Sequence, residues 1–263
     1  MSNLDSLPRA GEASAGAAPA VRLSDVGKVF GQGTEAVQAL DGVTLDVPEG
    51  QFTCLIGASG CGKSTLLNLV AGLDATSHGT IDVEGRRVAL MFQESALFPW
   101  LTASGNVELA LRTGGASRPA ARSHAADLLE RVHLGGLGDK RPHELSGGMR
   151  QRVALARALA QDANVLLMDE PFGALDAMTR DLLHDELERV WSAERLTVLF
   201  VTHNVREAVR LGDRVVLLSS RPGRVVDTFD VTDARPRRID SAEVASTAAT
   251  ITDRLREEVA RHG

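Results

Sequence analysis

The chain has 263 residues, 43% of them hydrophobic and 24% charged, with a formal net charge of −6. That is enough chain for one or two domains with a substantial core, and the acidic balance supplies no long-range attraction for a nucleic-acid backbone. No run of about 18 apolar residues reads as a membrane span, no basic-then-apolar start reads as a secretory signal, and two cysteines, Cys54 and Cys61, exclude a disulfide framework and fit a reduced, cytosolic setting.

Residues 1–20 are rich in Ala, Gly, Ser and Pro without an apolar period, which predicts a mobile tail. Residues 21–30 and 43–47 alternate like half-exposed strands, and 52–56 is a short apolar run that reads as a buried strand. A glycine-rich turn leads to a short helix over 65–71, and 79–84 and 87–92 read as further strands. From about 95 to 160 the periodicity is helical. Ala125, Leu128, Leu129 and Val132 share one face over 120–134, and Val153, Ala156, Leu159 and Ala160 point inward over 147–160. Strand character returns at 165–169, 197–201 and 214–219, separated by helices over 178–194 and 205–211. Such alternation predicts an α/β core with a mostly parallel sheet. A basic cluster and a helical tail complete residues 233–263.

Gly57-Ala58-Ser59-Gly60-Cys61-Gly62-Lys63-Ser64 fills every position of G-x-x-x-x-G-K-[ST] between a predicted strand and a predicted helix. Glycine lets such a loop curl until its N–H groups point at phosphate oxygens, and the helix that follows adds the positive end of its dipole. Lys63 can then reach the β- and γ-phosphates, Ser64 can ligate Mg2+, and Thr65 is counted with the cradle. A purely structural glycine turn is the plainer alternative. Cys61 reads as a small loop residue rather than a reactive thiol. Downstream, residues 165–168 form an apolar strand with Asp169 at its carboxyl end, where a carboxylate can hold Mg2+. Glu170 follows and can polarise an attacking water. Alone, an acidic strand end says little; after a complete phosphate loop it implies a nucleotide-binding protein, and an NTPase.

Leu145-Ser146-Gly147-Gly148-Met149-Arg150-Gln151 opens a helix with Ser146 as a natural N-cap. By itself this is an ordinary capped helix start. Between the phosphate loop and Asp169 it resembles the signature of the ATP-binding subunits of ABC transporters. The resemblance runs from about Val21 to Asp230 with the motifs in the family's order. Gln93 matches the Q-loop, Ala174-Leu175-Asp176 the D-loop and His203 the switch histidine. Phe30 falls where the family stacks an aromatic ring, usually Tyr, on adenine. Without that company, Gln93 and His203 would read as ordinary polar residues.

The resemblance implies a P-loop NTPase (RecA-like) α/β core with an antiparallel β subdomain and an inserted α-helical subdomain. It implies ATP as ligand, with Mg2+ held by Ser64, Gln93 and Asp169, and Glu170, His203 and Gln93 as the catalytic set. Two copies would pack head to tail, Ser146, Gly147 and Gly148 of one copy meeting the ATP cradled by the other, with Asp176 close by.

Ala96-Leu97-Phe98-Pro99-Trp100-Leu101 is too aromatic for a surface loop, and Pro99 argues against a helix or strand interior. The residues alone allow core filling or an exposed docking patch. The resemblance implies docking: a membrane permease subunit would seat near Leu97, Phe98 and Trp100. That would place the chain peripherally on the cytoplasmic face of the inner membrane, with a periplasmic or extracellular binding protein as an indirect partner and no nucleic acid. The same run, with Asn106-Val107 beyond it, looks like the subunits that serve small-anion importers for aliphatic sulfonates, taurine, nitrate or bicarbonate. Arg221-Pro222-Gly223-Arg224 and Ala234-Arg235-Pro236-Arg237-Arg238 point the same way, and their arginines read as a solvated face without a site.

The expected organisation is a tail over 1–20, an ATP-binding domain over 21–232 with its helical subdomain at about 95–160, and a basic segment and helix over 233–263. A soluble, non-transport ABC-type ATPase is the alternative. Such relatives carry a long coiled-coil insert or two cassettes in one chain, and neither is visible here.

Overall fold

The computed structural model describes residues 19–262, so most of the expected tail lies outside the described residues. The strands are β1 (Val21–Phe30), β2 (Val37–Val47), β3 (Phe52–Ile56), β4 (His78–Asp82), β5 (Val88–Met91), β6 (Val165–Asp169), β7 (Thr197–Val201), β8 (Arg214–Leu218) and β9 (Val225–Asp230). The helices are α1 (Lys63–Val70), α2 (Ala103–Thr113), α3 (Arg118–Arg131), α4 (Gly147–Leu159), α5 (Ala177–Glu194), α6 (Val205–Leu211) and α7 (Ala242–His262). None of them is long and apolar enough to cross a membrane.

Two sheets form. An antiparallel sheet runs β2-β1-β4, and a second runs β5-β6-β7-β3-β8-β9, parallel except for β9. The continuous apolar runs of β3, β6, β7 and β8 follow from burial on both faces of a parallel sheet. Their alternation divides the core into two. Phe52, Cys54, Met168, Phe200 and Leu217 point to the side covered by α2–α7. Leu55, Leu167, Leu199 and Leu218 point to the side covered by α1 and by β1 and β2. A period of two in each strand thus assigns every other residue to a different core.

Several bounds differ from the sequence reading for identifiable reasons. Ala20, assigned to the tail, is fully buried and its amide donates to the Val47 carbonyl at 2.8 Å. β2 begins at Val37 instead of Val43: Val26 pairs with Val43 and Lys28 with Leu40, so Asp41-Gly42 is a bulge that interrupts the alternation within one strand. α1 starts at Lys63 instead of Thr65, directly from Gly62 at φ +96°.

The arginine cluster is not a solvated face. Arg237 is 6% exposed. Its guanidinium donates to the carbonyls of Val209 (3.0 Å), Gly212 (2.5 Å), Val231 (3.0 Å) and Asp233 (2.9 Å). It therefore satisfies the open carboxyl end of α6. Arg235 stacks on Trp191 at 4.4 Å and pairs with Glu188 at 2.9 Å and Asp213 at 2.8 Å. Arg238, paired with Asp240, lies at the surface, as do Arg221 and Arg224. α7 then packs on α6 through Val244, Ala248 and Ile251.

Candidate functional site

β3 delivers the chain into the glycine loop at the carboxyl edge of the parallel sheet, the edge at which open α/β sheets bind ligands. Two glycines make the loop possible. A Cβ on Gly57 (φ +156°) would lie 2.9 Å from the Leu218 carbonyl oxygen, and one on Gly62 (φ +96°) 2.9 Å from that of Ala39. Lys63 is 7% exposed, and its ammonium donates to the carbonyls of Gly57 at 2.9 Å and Ala58 at 3.0 Å. The loop has curled around its own lysine. Cys61 is buried with its sulfur 3.6 Å from that ammonium, as a packed loop residue would be.

A cavity of about 430 Å³ opens on this loop. Gly57 and Ser59 through Thr65 line it from the loop, Phe30 from the end of β1 at its rim, and Glu170 and His203 from just beyond β6 and β7. Phe30 ends β1 half-exposed, with the Lys28 ammonium 4.9 Å from its ring centroid. Val37 and Ala39, on the first part of β2 that the sequence pattern hid, line the same rim.

Asp169 ends β6 beneath the loop. Burial raises its pKa, while a hydrogen bond with Ser64 and the charge of Lys63 pull it down. A carboxylate with this incomplete compensation beside a hydroxyl is a hard oxygen pair suited to Mg2+. Glu170, at φ +43°, turns away from the strand; its carboxylate Oε2 lies 2.8 Å from His203 Nδ1. His203 is set by Thr202, whose hydroxyl bonds the Glu207 carboxylate; Glu207 in turn meets buried His184 at 2.6 Å. Asn204 then caps α6.

Other expected residues lie elsewhere. Ala58 is not on the cavity wall, though its carbonyl holds Lys63. Gln93 is exposed and also off that wall, its carbonyl accepting from Gln151 of α4 at 2.9 Å. Its amide shares a neighbour with Glu170: a methyl on Gly173 would lie 3.8 Å from Gln93 Nε2 and from Glu170 Oε2. Ser146 caps α4 by accepting from the Met149 amide at 3.2 Å, and Asp176 caps α5 by accepting from Thr179 at 2.9 Å. A Cβ on Gly148 would strike Thr179 at 2.4 Å, so the starts of α4 and α5 are packed together. Ser146, Gly147, Gly148 and Asp176 therefore form one cluster that contributes nothing to this chain's own cavity wall.

The apolar run divides. Leu97 packs on the core, while Phe98 and Trp100 stand 37% and 67% exposed with ring centroids 5.2 Å apart. Asn106 holds the Phe98 backbone from both sides, at 2.8 Å and 3.3 Å. Arg221 also lines the cavity, and no sequence signal assigned it a site.

A family model described as ABC transporter matches residues 40–173. An aliphatic sulfonates import ATP-binding protein of Mesorhizobium japonicum is 51% identical over 221 residues, covering 82% of each chain. A nitrate import ATP-binding protein of Synechocystis sp. is 45% identical over 212 residues, 78% of this chain and 80% of that one. Among solved structures, a dimeric ATP-binding cassette in a post-hydrolysis state bound to ADP and Pi superposes with a TM-score of 0.73 at 32% identity. That match covers 81% of this chain and all of the other.

Proposed function

The chain belongs to the ABC transporter family of ATP-binding cassettes, and from that premise we propose that it powers an importer for aliphatic sulfonates or a related small anion such as taurine or nitrate. The observation that carries the ATPase reading is the cavity that Lys63 and Ser64 share with the Glu170–His203 pair. Exposure of Phe98 and Trp100 favours a membrane partner over a free-standing soluble ATPase. The substrate class rests on the names of the similar import proteins.

In this reading Phe30 stacks on adenine. The backbone from Gly57 through Gly62, with Lys63, Ser64 and Thr65, cradles the triphosphate. Ser64, Asp169 and Gln93 hold Mg2+, which when bound neutralises charge on the phosphate oxygens. Glu170 orients and polarises the attacking water, and His203, fixed against its carboxylate, faces the γ-phosphate. The Ser146–Gly148 cluster and Asp176 serve the ATP of a second copy. Permease subunits seat on Phe98 and Trp100, with Leu97 anchoring the run. The chain then lies on the cytoplasmic face of the membrane, and an external binding protein acts only through the permease. Residues 21–232 make the ATP-binding unit, with its helical part at about 95–160, and 233–263 an added C-terminal segment.

The test is uptake into proteoliposomes. The chain, its permease and its binding protein are purified together, ATP is enclosed, and labelled ethanesulfonate, taurine and nitrate are offered separately. ATP-dependent uptake of a sulfonate that vanishes with Lys63→Ala is expected. Turnover without uptake of any small anion would overturn the substrate class.

A further inference from the structure

We infer that Arg221 is a further nucleotide-binding residue, its guanidinium contacting the triphosphate from beside Gly60 of the phosphate loop; this rests on the ATP-site reading above.

The loop over 219–224, between β8 and β9, is built onto the phosphate loop. A Cβ on Gly223 would lie 2.1 Å from the Cys61 carbonyl oxygen, so the two backbones touch with no side chain between them. Gly223 is also stitched to β2, its amide donating to Ala39 at 2.9 Å and its carbonyl accepting from Asp41 at 3.0 Å. Inside the loop, Ser219 donates to the Pro222 carbonyl at 2.7 Å and accepts from the Arg224 amide at 2.8 Å. Arg224 pairs with Asp41. This segment has little freedom to swing away from the cavity.

Arg221 is what the segment presents. Its Nε donates to the Gly60 carbonyl at 3.3 Å, and its Nη2 lies 3.5 Å from where a Cβ on Gly60 would stand. The guanidinium therefore covers the loop that cups the phosphates. Among the described residues Arg221 has no carboxylate within ion-pairing distance, unlike its neighbour Arg224. Lys63 and Arg221 are the permanent cations on the cavity wall, and Glu170 is its carboxylate. A polyanionic chain entering there meets Arg221 as a fork of donors committed to no carboxylate, the geometry that pairs best with phosphate oxygens. The rim at Phe30, Val37 and Ala39 is apolar and suits the base, which leaves the phosphates to the arginine.

The experiment is equilibrium binding of ATP, ADP and adenosine to the full-length wild type, Arg221→Ala, Arg221→Glu and Lys63→Ala, at low salt and at about 0.5 M salt. Arg221 is exposed, so its variants should melt with the wild type. Losing one charge-assisted contact should weaken ATP and ADP about 10- to 100-fold for Arg221→Ala. Arg221→Glu should be weaker still, the deficit should shrink at high salt, and adenosine should be unaffected. Wild-type affinity in Arg221→Ala while Lys63→Ala is impaired would overturn the role of Arg221 and leave the ATP site standing. Undiminished binding in both would overturn the ATP site itself. An equal loss for adenosine would place Arg221 on the base or ribose and reject the phosphate contact.

Discussion

His203 Nδ1 and Glu170 Oε2 stand 2.8 Å apart, although one residue follows β7 and the other follows β6. The two strands are neighbours in register, Asp169 beside Val201, and so the residues just beyond them converge on the same point of the cavity. The pairing ties the carboxylate that would polarise water to a side chain on a different element. Glu170→Gln keeps the shape and removes the charge. ATP binding should hold while steady-state hydrolysis falls by about 10²–10⁴-fold. Near wild-type turnover would remove Glu170 from that role.

The Ser146 cluster stands apart from the cavity of its own chain, and in the proposed reading it serves the ATP of a second copy. Ser146→Arg and Lys63→Ala should each be inactive alone. Mixed in equal amounts, they should regain part of the activity, because one site per mixed dimer then has an intact loop and an intact Ser146. Normal hydrolysis by Ser146→Arg alone would rule out the shared site.

Phe98 and Trp100 are exposed and pair with each other, their ring centroids 5.2 Å apart. Replacing both with Ala should cost the isolated chain no more than about 1–2 kcal/mol of stability. Capture by the permease should weaken roughly 30- to 1000-fold, as for loss of a buried aromatic anchor. Thermal melting and co-purification, measured on the same preparation, separate the two effects. A large fall in melting temperature would mean that these rings serve the fold.

Arg237→Ala strips hydrogen-bond donors from several buried carbonyls at once. With about 1–3 kcal/mol for each group left unsatisfied and partial rescue by water, a loss of about 3 kcal/mol is expected, roughly 6–12 °C in melting temperature. Arg237→Lys should not restore it, since an ammonium cannot span carbonyls on both sides of the planar fork. Melting curves within a degree of wild type would contradict this account of the C-terminal segment.

The hydrogen bond from Arg224 lowers the pKa of Asp41, with desolvation opposing it. A carboxyl with a depressed folded-state pKa contributes stability that is complete above its unfolded value, about 3.9, and is lost as pH falls through the folded value. The stability gap between wild type and Asp41→Asn, read by urea titration, should therefore be full at neutral pH and narrow progressively below about pH 3.9. A gap that stays constant through that range would break the link between the pair and stability.

What the sequence disclosed follows the reach of each constraint. The glycine loop was legible because its geometry is local: Gly57, Gly62 and Lys63 must occupy fixed offsets whatever the rest of the chain does. The strands β3, β6, β7 and β8 were legible because two-sided burial demands continuous apolar runs. Arg237 was not legible, since its partners at Val209 and Gly212 are distant in sequence and an arginine cluster looks the same whether solvated or chelating. Arg221 was hidden likewise, because nothing in residues 219–224 says that Cys61 lies beneath them. The early start of β2 was masked by Asp41-Gly42, a dipeptide whose usual meaning is a turn.

The central place of β3 has a consequence during synthesis. Phe52–Ile56 is buried along its whole length, yet its two flanking strands are β7 and β8. Phe52 pairs with Val198, so the partner leaves the ribosome roughly 150 residues later, on the order of ten to thirty seconds at usual elongation rates. For that interval an apolar strand and the phosphate loop it carries wait without their flanking strands. The nascent chain should therefore need shielding, and the nucleotide should first find a finished site only when translation is nearly done.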